Sequence, residues 1–137
     1  MLATDFRSAR MSETQASWKV LPHGKLSEID ENILTVTGTI EMPLMQLPRR
    51  MTVVRLADSR LVVYSAIALD EAGMKTIEDY GEPGWLVVPN DHHRLDAGAW
   101  KQRFPQLRVV APEGSRKNTP GGRGTDWYPK LAYGTEG

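Results

Sequence analysis

An α/β fold with a mixed sheet, an antiparallel hairpin ahead of a parallel βαβαβ part, is predicted by three observations. Two β-branched runs, Met51–Leu56 and Leu61–Ile67, are joined by only Ala57-Asp58-Ser59-Arg60. The apolar period then lengthens to a helical one between Asp70 and Gly81. Two further apolar runs, Trp85–Val88 and Leu107–Ala111, flank a second short helical stretch, completing the strand–helix alternation.

The chain has 137 residues, enough for one small domain. It balances 17 Lys+Arg against 17 Asp+Glu. Zero net charge removes the global field that draws a chain to nucleic acid or an anionic membrane, so neither partner is expected. With no cysteine there is no disulfide, thiolate ligand or cysteine nucleophile, and any transition-metal site must use His with Asp or Glu. The amino terminus lacks the apolar run of a secretory signal, and no stretch is long and apolar enough to span a bilayer; a cytoplasmic location is expected.

Residues 1–30 are expected to form a flexible segment, 31–114 the α/β domain, and 115–137 a tail. From Asn32 the pattern Ile33, Leu34, Val36, Ile40, Met42, Leu44, Leu47, broken by Gly38, Pro43 and Pro48, reads as one or two short strands. The Met51–Ile67 hairpin comes next. Asp70 is a candidate N-cap, Met74, Ile77 and Tyr80 share one helical stripe, and Gly81 stops it. Trp85–Val88 is continuously apolar, as suits a strand buried on both faces. Asp96 is placed to cap a helix whose Trp100 and Phe104 share a face and which Pro105 ends. Right-handed crossovers would lay Leu61–Ile67, Trp85–Val88 and Leu107–Ala111 side by side in parallel, with ligands expected beyond their carboxyl ends. The last 23 residues hold five Gly and two Pro without a sustained period.

The densest polar cluster, Asn90-Asp91-His92-His93-Arg94-Leu95-Asp96, follows the most buried strand. Imidazoles and carboxylates there suit Zn, Mn or Fe, with His92, His93 and Asp96 as candidate ligands and Asp91 as ligand or base. The plainer assignment, which a single histidine pair favours, has Asn90 and Asp91 making the turn, a histidine bonded to a backbone carbonyl, and Asp96 capping the helix.

Leu86–Pro112, LVVPNDHHRLDAGAWKQRFPQLRVVAP, resembles an uncharacterised family allied to the metallo-β-lactamase fold. The family's pattern is an apolar strand ending in Pro-Asn, a His-His pair, a helix carrying Trp, a Phe-Pro, and a strand ending in Ala-Pro. The resemblance covers Ile33 to Gly114 and implies the amino-terminal half of an αββα domain. Hydrolases of that fold carry His-x-His-x-Asp-His at this place to hold two metals. Here the spacing puts Asn90 at the first histidine, His92 at the second, Arg94 at the aspartate and Leu95 at the last histidine. Only His92 matches, so the resemblance implies a degenerate relative and at most one divalent metal. Because it stops after Gly114, a truncated, frame-shifted or naturally short member is expected.

Weaker signals point elsewhere. Gly121-Gly122-Arg123-Gly124 lacks the strand, helix and Lys-Ser/Thr of a phosphate loop. Arg49-Arg50, with Arg55 and Arg60, reads as a solvated strand face. Ser65 has no nucleophile elbow around it. Trp85, Trp100 and Phe104 are expected in the core, whereas Trp18 and Trp127 lie in the flanks. The expected function is that of a metallo-β-lactamase-fold hydrolase relative without an active dinuclear centre. The alternatives are a single-metal hydrolase using His92 and His93 on an ester-like or amide-like carbonyl, and a non-catalytic scaffold that self-associates through an open sheet edge or apolar face.

Overall fold

The computed structural model describes residues 18–89 and 96–111. The elements run β1 (Ser27–Asp30), β2 (Ile33–Met42), β3 (Met45–Arg55), β4 (Arg60–Tyr64), α1 (Glu71–Tyr80), β5 (Glu82–Val87), α2 (Ala97–Arg103) and β6 (Arg108–Val110). They make one six-stranded sheet in sequential order. Neighbours from β1 to β4 are antiparallel, and β4, β5 and β6 are parallel, as predicted.

The largest departure from the sequence reading lies ahead of Met51. The short broken strands expected there are a single long hairpin, β2 against β3, with Met42 opposite Met45 and only Pro43 and Leu44 between them. Gly38 and Pro48 sit inside these strands. Pro48 is tolerated because β4 joins β3 only from Thr52 onward, so this part of β3 is an edge. The following turn is the one predicted: Ser59 takes a positive φ of 67°, and Asp58 accepts from the Arg60 N–H at 3.1 Å. Two short hydrogen bonds from Arg60 hold the exposed Asp58 carboxyl below its ordinary pKa.

Helix α1 begins and ends where its caps say. Asp70 Oδ1 accepts from the Gly73 N–H at 2.8 Å, Met74 and Ile77 are buried, and Gly81 donates its N–H to Ile77 O. A Cβ on Gly81 would stand 2.3 Å from Ser59 O, so this crossing into β5 admits no side chain. In α2 Trp100 is fully buried and donates Nε1–H to Ile67 O at 3.0 Å.

Strand alternation selects the core. Leu34, Val36, Met51, Val53, Leu61 and Val63 point to one face, where Met74, Ile77 and Trp100 from the two helices close over them in a single cluster. The opposite face carries Val54, Val62, Tyr64, Trp85, Val87 and Val110, cross-paired along the same register.

Of the segment expected to be flexible, residues 1–30, the described part begins at Trp18. Trp18 packs on the core, its ring 5.9 Å from that of Trp100, and donates Nε1–H to Leu69 O at 3.0 Å. Gly24 N–H donates to Thr37 O, Thr39 N–H donates to Pro22 O, and Ser27–Asp30 is the first strand of the sheet. A half-buried indole and these backbone bonds join residues 18–30 to the sheet and its core. Residues 1–17 and 112–137, with Trp127 and the glycine run at 121–124, lie outside the described residues.

Candidate functional site

The site lies where the topology puts it, beyond the carboxyl ends of β4 and β5. Strand β4 stops at Tyr64, short of the predicted Ile67, because Ser65 turns the chain with a φ of 58°. A buried serine in the left-handed region is uncommon, and it sets the path of the segment that follows. Residues 66–69 are buried without being a strand, so their backbone groups need partners. Ile67 O accepts from Trp100 Nε1, Leu69 O accepts from Trp18 Nε1, and the Ile67 N–H meets Met51 Sδ at 3.2 Å. The Ala68 N–H points to Asp96 Oδ2 at 2.9 Å.

Asp96 stands at the N-cap of α2, as predicted, yet its side chain makes no capping hydrogen bond. Its Oδ2 accepts from both the Ala68 N–H and Arg49 Nη1, the latter at 2.8 Å. This ion pair is buried on both sides: the Arg49 side chain is 9% exposed and that of Asp96 7%. Arg49 therefore corrects the expectation of a solvated arginine face. It reaches inward because its cross-strand partner is Gly38: a Cβ there would come within 3.4 Å of Arg49 Nε and 3.2 Å of Pro22 O. The guanidinium gives Asp96 only one nitrogen. Its Nε and Nη2 are buried and have no hydrogen-bond partner among the described residues.

The other arginines of that group are engaged at the surface. Arg50 Nη1 donates to Thr35 Oγ1, Arg55 reaches Asn32 and lies over the Tyr80 ring, and Arg60 covers Trp85. At the rim of the site His23 Nε2 accepts from the Asp70 N–H at 3.0 Å, and its Nδ1–H donates to Gly24 O. These two backbone partners assign the tautomer.

Of the predicted site residues, Asp96 alone is among those described; Asp91, His92 and His93 lie outside them. Among the described residues no group of three or more His, Cys, Asp and Glu side chains is placed to hold a metal ion. Asp96 Oδ2 takes two N–H donors, one of them from the Arg49 guanidinium.

Sequence reasoning missed Arg49, and the signal was present. Alternation in β3 puts Arg49 on the same side as Met51 and Val53, both fully buried, and Arg50 on the other. The Ala68 amide and the Ser65 turn left no such trace, because neither depends on a distinctive side chain.

No protein-family model matches the chain, and no curated protein matches it. Solved structures do. FIM-1 from Pseudomonas aeruginosa, a metallo-β-lactamase in its mono-zinc form, aligns at a TM-score of 0.52 and 15% identity over 77% of this chain and 49% of its own. DIM-1, a metallo-β-lactamase exposed to ceftazidime, gives 0.55 and 16% over 72% and 47%. The metallo-β-lactamase from Erythrobacter litoralis gives 0.53 and 16% over 71% and 45%. The chain spans about half the length of these proteins. It has the metallo-β-lactamase-like fold, over that half.

Proposed function

We propose that this chain is a relative of the metallo-β-lactamase-fold hydrolases that does not use a dinuclear metal centre, and that its strand-end site is a binding site organised by Arg49 and Asp96. The observation that carries this reading is the buried clasp itself: one carboxylate oxygen of Asp96 shared between the Arg49 guanidinium and the Ala68 N–H. A guanidinium is a permanent cation, so it supplies to the carboxylate the charge that a metal supplies elsewhere, without a metal's exchangeable positions. The sequence supports the same reading, since Arg94 and Leu95 replace the aspartate and last histidine of the dinuclear motif.

Elemental analysis of the purified chain beside a His92→Ala, His93→Ala double variant tests it. Protein without stoichiometric metal is the expected result. Two metal ions per chain, lost in the double variant, would overturn the reading; one metal lost in that variant would favour a single-metal hydrolase using His92 and His93, with Asp91 as ligand or base.

A second reading is favoured by the sheet face turned away from the helices. Val62 lies opposite both Val54 and Trp85, and Val87 opposite Tyr64 and Val110, so apolar side chains run across strands β3 to β6. Tyr64 is 46% exposed on this face. Parallel strands are ordinarily covered on both faces, and self-association of the chain would cover this one. Sedimentation of the intact chain should then give a dimer that Val62→Lys disrupts; a monomer at high concentration would contradict this reading.

A further inference from the structure

We propose that the free edge of the Arg49 guanidinium is a binding site for a carboxylate, at the strand ends beneath the segment 18–24. The inference rests on the pairing of Arg49 with Asp96 that the proposed function also uses. Asp96 takes only Nη1, at 2.8 Å, which leaves Nε and Nη2 buried and unpartnered among the described residues. Those two nitrogens form one edge of a planar fork, with parallel N–H bonds at the spacing of the two oxygens of a carboxylate. Near this edge the Ala68 N–H is taken by Asp96, and Ile67 O and Leu69 O by tryptophans. The unpaired edge is a pair of buried donors that calls for a partner.

Charge narrows the class of ligand. Asp96 already balances Arg49. A singly charged, two-oxygen group satisfies the donors with the least added negative charge, whereas a phosphate dianion meets greater repulsion from Asp96. Entry is set by the segment above. Pro22 O and Arg49 Nε flank the same point over Gly38, at 3.2 and 3.4 Å from the position a Cβ would take there. This segment is neither helix nor strand, and it is tied down by bonds at Trp18, Pro22, His23 and Gly24. Because these bonds hold the segment over the edge, carboxylate binding requires it to shift at Pro22, exchanging a buried unpaired edge for a paired one.

The test is thermal unfolding of the full chain in chelator, in sodium acetate against sodium chloride at equal ionic strength, for the native protein and Arg49→Lys. Lysine keeps a cation opposite Asp96 and removes the two-donor edge. The expected result is a higher melting temperature in acetate for the native protein alone, rising with acetate concentration as linkage requires. No acetate effect, an equal effect in Arg49→Lys, or an equal effect of phosphate would overturn the inference. If Arg49→Lys does not fold, the Arg49 Nε–H resonance of the native protein decides: it must shift on acetate addition, and a resonance that stays put refutes the site. The chelator keeps this separate from the metal analysis, so failure here leaves the proposed function standing and metal found there leaves this result intact.

Discussion

At the residue scale, the buried pair decides most. Bringing a guanidinium and a carboxylate out of water is costly, and the cost is offset only where both ends are held by good geometry. Removing one partner leaves the other charge buried and alone. Arg49→Met or Asp96→Asn should each lower stability by about 3–5 kcal/mol, and the double variant by much less than their sum, as urea unfolding of all three will show. Additive losses would mean that the two side chains do not act as a pair. Exposed carboxylates behave differently. The Arg103 guanidinium, 3.1 Å away, holds Glu71 below its ordinary pKa of 4.5, chiefly through their hydrogen bond. A lowered folded pKa means the contribution is present above the ordinary value and is lost as pH falls through the lowered one. Glu71→Gln should therefore unfold at lower urea than the native chain at neutral pH and converge with it in acid, and added salt should narrow the gap. A gap that persists in acid would assign the effect to packing instead.

At the element scale, the helices and the parallel strands were legible because their signals are local. Asp70 and Gly81 bracket α1, and Trp85–Val88 reads as the end of β5, although it is buried on one face only: Leu86 and Val88 are core, while Trp85 and Val87 are half-buried on the other face. The β2–β3 hairpin was not legible, since Gly38, Pro43 and Pro48 look alike as breaks in one dimension, and only the pairing shows that one is a turn and two are strand positions. The site was half legible. Its place followed from topology, and Asp96 was singled out, but its partner sits 47 positions away on a strand whose arginines look solvated. Trp100 joins these elements: it packs between Trp18 and Phe104, with ring centroids 5.9 and 5.4 Å away, and its Nε1–H satisfies Ile67 O. Trp100→Ala should cost about 3–5 kcal/mol and Trp100→Phe less, the difference reporting the packing of the ring, since both variants orphan the Ile67 carbonyl. Chemical denaturation of both variants measures it, and equal losses would remove the ring packing from the account.

At the scale of the whole molecule, one sheet carries two helices on one face and a row of apolar side chains on the other. Among the described residues no helix is long and apolar enough to cross a membrane. The fold matches metallo-β-lactamases over about half their length, while the described part of the strand-end site is built on an ion pair. The central claim is that Asp96 belongs to Arg49 and Ala68 and not to a metal. It is tested most directly by a zinc titration followed at two resonances, the Ala68 backbone N–H and the Arg49 Nε–H. Both should stay where they are through two equivalents of zinc, because the carboxylate between them is already taken. Shifts of both in step with added zinc, abolished in the His92→Ala, His93→Ala variant, would show Asp96 exchanging the guanidinium for a metal and would contradict the account.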